Sequence, residues 1–399
     1  MTTGRNTSAW TMSLVLAVLA TACASTTDGP LTPSQNQQRV VAANEPVTVI
    51  WNRRGSSLLV QRPPTSNVPA MRLFAYLSLA QYRAVGAVEA AGRAPLESPL
   101  GSSSGRSTRP SLRAAVSAAS VQVLGAFFPL DRAALAAELA ALFPEGDAVT
   151  LAGLAMGDSV GAAVVAFAAG DNVGVANPGT PPLGAGYWVS SSAPISRGLY
   201  RARPFFLERE DELRSPPPPA FGSTEYLEAL SKVRSLSDNR TPEQLAMAVF
   251  WNQNTAPFGP GYLNGVADDL IVDRHISEAA AARVLAYANA AVFDAQIGCS
   301  DTKFTYWYIR PSQADPAITL PIGLPNHPSY PSAHSCITSS FLTVLGTEFR
   351  SEQARFADMV RDAGLSRIYG GIHYTFDVDA GREIGRRAAE LALSRRGLE

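Results

Sequence analysis

The run Ser277–Pro311, SEAAAARVLAYANAAVFDAQIGCSDTKFTYWYIRP, decides how the chain is read. Alanine and other good helix formers fill its first part. There Val284, Leu285, Tyr287, Ala288, Val292 and Ala295 recur at mixed three- and four-residue spacing. That pattern predicts an amphipathic helix over Ser277–Gly298. Beyond it stand Lys303 and Arg310. Seven residues are two helical turns, so both cations leave one face if the segment is helical. Pro311 pushes Arg310 out of helical backbone and marks the end of that turn. Like charges on one face repel, which makes a shared anion a natural partner. Two solvated surface cations are the plain alternative.

Working outward, helical patterning dominates on both sides. It predicts helices over Pro69–Ala91, Ser111–Phe128, Asp131–Phe143, Ala148–Ala169, Thr224–Leu236 and Pro242–Trp251. After the decisive run it predicts Ser335–Phe349, Ser351–Ala363 and Asp379–Arg396. Asp131 is a good N-cap residue, and the Ala-rich 148–169 segment, with Gly157 and Gly161, reads as a close-packed core helix. Residues 95–110 are a loop by composition. Residues 170–223, rich in Gly, Pro and Ser and ending in SPPPPAFGS, read as a cover or lid. No strand alternation and no short repeat is evident. The expectation is an all-α fold of helical bundles, two packed together through long connecting loops, the second holding the chemistry.

The chain has 399 residues, 46% hydrophobic and 17% charged, with a formal net charge of −1. Its size allows a substantial core, and its balance gives no reason to expect nucleic acid or an anionic surface as partner. Arg5 followed by the apolar Met12–Ala22, too short to span a bilayer, reads as a targeting segment over residues 1–22. Small residues ending at Cys23 resemble a bacterial lipoprotein signal, which would make Cys23 the lipidated residue; plain secretion and an uncleaved anchor are the alternatives. Residues 23–45, polar and rich in Ser, Thr, Asn and Gln, form a tether. The helical domain is then residues 46–399. The protein is expected to be exported and membrane-anchored through the lipid alone, on the periplasmic side or cell surface. Cys299 and Cys336 remain, either as a disulfide or as two inert thiols.

Two further stretches carry chemistry. YPSAHS, Tyr330–Ser335, stands ahead of an apolar helix. The Ser332 hydroxyl, the first amides and the helix dipole all favour an anion there, and His334 is a titratable group at its lip. The plain alternative is a Ser cap beside a packed histidine. SRIYGGIHYTFD, Ser366–Asp377, sets Arg367 and His373 about a turn containing Gly370 and Gly371. The glycines allow close approach to a ligand, and Asp377, four after His373, can orient its ring. The alternative is a loop with a buried ion pair. Together, three cations and helix-start amides suit a multiply charged tetrahedral oxyanion, phosphate or vanadate. One histidine can attack or ligate its central atom while the other moves a proton.

The order Lys-x6-Arg-Pro, then Pro-Ser-Gly-His (here with Ala333 for Gly), then Ser-Arg-x5-His-x3-Asp resembles the vanadium-dependent haloperoxidases and type 2 phosphatidic-acid phosphatases, one helical superfamily. SRIYGGIHYTFD and the upstream SPPPPAFGS and RTPEQLAMAVFWNQ look more like the bacterial haloperoxidase branch. The resemblance spans about residues 210–396. It implies that His373 ligates vanadium, or is the phosphate nucleophile in a phosphatase, and that His334 is the general acid/base. Lys303, Arg310 and Arg367 would hold the oxygens, with the Ser332 hydroxyl and the amide of Ala333, which stands where the family usually has Gly. Glu243 is the candidate carboxylate beside Arg367. His327 lies seven before His334, a position where some bromide-oxidising relatives carry His. The implied activity is a vanadate-dependent peroxidase using hydrogen peroxide on halide or a small organic acceptor. Alternatives are a soluble phosphatase acting through phosphohistidine, with phosphate in the same clamp, and a noncatalytic oxyanion-binding lipoprotein.

Overall fold

The computed structural model describes residues 45–64, 66–93, 110–144, 146–193, 195–252, 260–395 and 397–398. All belong to one compact unit that starts at Ala43. The targeting segment, Cys23, nearly all of the tether and all but the end of the 95–110 loop lie outside the described residues.

Among the described residues the fold is all-α. The thirteen helices are α1 (Val47–Gln61), α2 (Val68–Arg93), α3 (Leu112–Phe127), α4 (Arg132–Leu142), α5 (Ala148–Ala169), α6 (Thr224–Asp238), α7 (Pro242–Phe250), α8 (Pro260–Asp273), α9 (Glu278–Tyr306), the single turn α10 (Pro311–Ala314), α11 (Ala333–Glu348), α12 (Gln353–Tyr369) and α13 (Thr375–Arg395). The one β-type pairing is an isolated bridge between Tyr187 and Tyr308. Side-chain caps begin many helices: Ser111 accepts from Ala114 N–H, Asp147 from Thr150 N–H, Ser277 from Ala280 N–H, and Thr241 forms a capping box with Gln244. Asp131 does not act this way. Its carboxylate is turned to Arg62 at 2.8 Å, and its backbone ends a 3-10 turn.

α9 is the axis of the molecule. Residues expected to line one face are joined by buried residues all round, from Ala281 to Phe304. α2, α11 and α13 pack against it, so it is central rather than amphipathic. Each buried Leu, Val, Ile or Phe there contributes about 1.5–3 kcal/mol. The expected two bundles share one core, because a single apolar cluster runs from Val47 to Leu398.

α5 differs from the expected core helix. Gly153, Gly157 and Gly161 seat it on α3, and its second half also packs on α2. Met156, Val160, Val165 and Phe167 are half-buried on the core, and only the opposite face is exposed. A Cβ at Gly157 would stand 2.1 Å from the carbonyl oxygen of Ala115, so glycine sets the depth of that contact. α5 is long and apolar enough to cross a membrane by length and composition.

The irregular 170–223 stretch is tied down as a cover. Buried Asp294 of α9 accepts the N–H groups of Phe205, Phe206 and Leu207 at 2.8, 2.7 and 3.2 Å. Arg214 grips Asp301 through two bonds of 2.6 and 2.8 Å. The hydroxyls of Tyr306, Tyr330 and Tyr308 donate to the carbonyls of Ser215, Pro216 and Pro219. Proline carbonyls have no internal partner in such a run, so the tyrosines satisfy them from the site side.

Candidate oxyanion site

The three cations reach one region from three elements. α9 continues past Lys303 to Tyr306, where Trp307 adopts a left-handed conformation (φ 48°) and donates its N–H to the Lys303 carbonyl. The chain then leaves as an extended segment. Trp188 N–H donates to the Trp307 carbonyl at 2.7 Å, and Ile309 N–H to Gly186 at 3.0 Å. Arg310 therefore does not share a helical face with Lys303; it enters as the residue before α10. Arg367 comes from the last turn of α12.

All three are buried: Lys303 is 3% exposed, Arg310 and Arg367 0%. Desolvation pushes Lys303 down to about 8, Arg310 to about 10 and Arg367 to about 9. They remain cationic at neutral pH. Among the described residues none forms an ion pair with a carboxylate; backbone oxygens satisfy most of their donors. Lys303 Nζ donates to the carbonyls of Pro328 and Ser329 at 2.9 Å each, and to that of Pro331. Arg310 donates through Nε to the His327 carbonyl at 2.9 Å and through Nη1 to Ile372 at 2.6 Å. Arg367 reaches Ser366 Oγ, Asn252 Oδ1 and the Ala248 carbonyl at 3.0, 3.2 and 2.9 Å. With five N–H donors on a guanidinium, two on Arg367 have no partner among the described residues. Carbonyl dipoles do not cancel net charge, so the region retains a demand for an anion.

The histidines sit among these cations. His373 is 2% exposed and donates Nδ1–H to Asp377 Oδ2 at 2.8 Å. The same oxygen accepts from Ser329 Oγ at 2.6 Å and Tyr374 N–H at 3.0 Å. Burial, then the charges of Arg310 and Lys303, hold His373 well below its ordinary pKa. It is therefore neutral, with the lone pair on Nε2. Burial raises Asp377 to about 6 against the pull of Ser329 and Lys303. His334, second residue of α11, donates Nε2–H to the Trp251 carbonyl at 2.9 Å, and burial with the charge of Arg367 keeps it neutral. Ser332 is the N-cap of α11 and is fully buried. The Ala333 amide is one of the first helical N–H groups, which have no intrahelical acceptor. Ala333 takes an ordinary negative φ as the first helical residue, so the absence of glycine introduces no backbone strain. His327 joins the group: its Nδ1 lies 3.1 Å from both Arg310 Nη2 and the Pro328 carbonyl.

Residues 346–396 match the family model of the VCPO second helical-bundle domain. The chain superposes on a solved structure of a bacterial vanadium-dependent iodoperoxidase, with a TM-score of 0.72 at 22% identity over 88% of this chain and 96% of that one. It also superposes on the holo and apo forms of a bacterial vanadium-dependent chloroperoxidase. The holo form gives a TM-score of 0.65 at 15% identity, covering 82% of this chain and 91% of that one. The apo form gives 0.60 at 16%, covering 83% and 94%. No curated protein matches the sequence. The chain has the fold of the bacterial vanadium haloperoxidases.

On this haloperoxidase fold two expectations change. Glu243 is exposed in the first turn of α7 and forms no ion pair with Arg367. α7 supplies the Ala248 carbonyl instead, and Asn252 follows just beyond it. Gly370 and Gly371 make room for Ile318, Thr319 and Ile322 of the preceding loop rather than for a ligand. Of the two readings left open for Cys299 and Cys336, the structure has the free thiols, both buried. The carbonyls of His327, Pro328, Ser329, Pro331, Ala248 and Ile372 escaped the sequence reading because a backbone acceptor has no side-chain signature.

Proposed function

We propose that the chain is a vanadate-dependent haloperoxidase-like oxidoreductase, using hydrogen peroxide to oxidise a halide or a small organic acceptor. The observation that carries this is a buried set of Lys303, Arg310 and Arg367 with no carboxylate ion pair among the described residues, Arg310 and Lys303 acting on neutral His373 and Arg367 on neutral His334. The donor set fits a tetrahedral oxyanion. His373 Nε2 would ligate the metal centre, and Asp377 would fix the ring by holding the other proton. Arg367 offers its remaining N–H groups, Ser332 its hydroxyl and Ala333 its amide. Lys303 contributes positive charge, or a direct bond after releasing one of its carbonyls. When bound, vanadate would supply the Lewis-acid centre that activates hydrogen peroxide. His334 holds a proton on Nε2 against Trp251; the neutral ring can accept or deliver one at the mouth of the site. The likeness to the iodoperoxidase and chloroperoxidase supports this at the level of fold.

The test is bromination of a dye by anion-stripped protein given orthovanadate, hydrogen peroxide and bromide, beside a vanadate-free assay on a chromogenic phosphate ester. Vanadate-dependent bromination that falls at least about a thousandfold in His373→Ala supports the peroxidase. Phosphate release inhibited by vanadate, with no bromination, replaces it with the phosphatase, whose nucleophile would be the same nitrogen. Neither activity in the wild type, with vanadate still bound, leaves an oxyanion-binding protein.

A further inference from the structure

Cys299 and Cys336 lie directly beneath the site and take no part in the proposed chemistry. Cys299 is on α9, one helical turn before Lys303; Cys336 is on α11, four residues after Ser332. They are 1% and 0% exposed and belong to the same apolar cluster. The two thiols lie close enough across the packed α9 and α11 to influence each other's ionisation. Around them α9 and α11 are further joined by Gln296 Nε2, which donates to the Ala333 carbonyl at 3.0 Å. This is a paired dithiol at the crossing of the two helices that carry Lys303, Ser332 and His334.

The two sulfurs are not equivalent. Burial alone would raise Cys299, but the neighbouring Cys336 thiol and the ammonium of Lys303 hold it below its ordinary value. Burial and the Cys299 contact push Cys336 up. Cys299 stands one helical turn before the Lys303 ammonium, which favours a thiolate there, so Cys299 is the attacking sulfur and Cys336 the resolving one.

We propose that Cys299 and Cys336 form a peroxide-driven disulfide that fastens α9 to α11 beneath the oxyanion site. The Cys299 thiolate would attack one oxygen of hydrogen peroxide, breaking the O–O bond and releasing hydroxide, which takes up the thiol proton as water. The resulting sulfenic acid is attacked by Cys336 sulfur; an S–S bond forms, the S–O bond breaks and a second water leaves. Two thiols lose two electrons and one peroxide gains them, so the balance is two thiols and one hydrogen peroxide to one disulfide and two waters. The oxidant is a small neutral hydroperoxide, able to approach through the same site that the peroxidase reading gives it. The bridge closes a loop of about 37 residues, which contains Lys303, Arg310, His327, Ser332 and His334.

The experiment uses the full chain. Native protein, reduced and then exposed to stoichiometric hydrogen peroxide, is alkylated under denaturing conditions and mapped by peptide mass. The expected result is a linked pair of peptides containing Cys299 and Cys336, reversed by dithiothreitol, with a rise in Tm of roughly 5 °C. Cys336→Ser should give no link and should drive Cys299 to sulfenic and higher acids. Alkylation of both thiols after peroxide treatment would overturn the proposal. So would oxidation of the two sulfurs independently in the wild type. Helical circular dichroism of Cys336→Ser and Cys299→Ser shows whether either change acts through misfolding, and the wild-type peptide map decides the matter in any case. The map is read without vanadate or substrate, so failure of the peroxidase reading would leave it intact.

Discussion

Asp377 gathers three donors on one oxygen, from Ser329, His373 and Tyr374, while its other oxygen has none. That asymmetry makes it the residue that sets which nitrogen of His373 is left for a ligand. Asp377→Asn keeps the shape but offers either an oxygen without charge or an N–H facing another N–H. Vanadate affinity is expected to fall about 10–100-fold, read from the vanadate concentration that restores half-maximal bromination. The pH dependence has a definite sign. Burial raises Asp377 to about 6, so the carboxylate that accepts Nδ1–H is lost as pH falls through that value. The wild type should therefore lose affinity relative to Asp377→Asn between about pH 7 and pH 5; a constant ratio would remove Asp377 from that role. The same residue shows what a linear sequence can give. The i, i+4 spacing of His373 and Asp377 announced their bond, as did the clustering of Arg367, Lys303 and Arg310. The partner of Arg367 could not be read, because Ala248 contributes only a carbonyl and lies more than a hundred residues away.

Elements reveal where local pattern yields to distant contacts. α1 begins VTVIW, a β-branched run that favours strands by propensity, and no helix was expected there. Its start is fixed from afar: the Glu278 carboxylate at the head of α9 accepts the N–H groups of Val47 and Thr48 at 2.7 and 2.9 Å. A cap 230 residues away leaves no local trace. α9 itself was legible as a helix, but its far end was not, since Trp307 stops it in a conformation clamped by Trp188. Glycines give a sharper test of helix packing. Gly157 is held against the Ala115 carbonyl, whereas at Gly86, exposed within α2, a methyl group would meet nothing within 4 Å. Gly157→Ala should destabilise by about 1–3 kcal/mol as α5 is forced off α3. Gly86→Ala should stabilise by about 0.5–1 kcal/mol through helix propensity alone. Urea unfolding reads both; equal effects would mean that α5 does not seat on α3 through its glycines.

The whole molecule encloses an unusual set of titratable groups, and its stability should record them. Asp294, fully buried on α9, holds the cover through three backbone N–H groups, and burial raises it to about 7 despite them. Its folded pKa lies above its ordinary value of 3.8. Its stabilising neutral form is thus fully present below about pH 4 and lost as pH rises towards 7, because the folded state then binds more protons than the unfolded one. His327, His334 and His373 act oppositely. Held neutral by burial, they favour the folded state above their ordinary value of 6.5 and oppose it as pH falls. The two sets partly cancel in the wild type, so the total pH profile identifies neither. Asp294→Asn isolates one. It keeps an acceptor for the cover amides but cannot ionise, so relative to the wild type it should gain stability from pH 4.5 to pH 8, by at most about 4 kcal/mol on the linkage relation. The measurement is urea unfolding of both proteins at the two pH values. A gap between them that stays constant would mean that the Asp294 carboxyl titrates at an ordinary pKa. The cover would then be anchored by a permanent carboxylate with three amide donors, and its hold on α9 would be insensitive to pH.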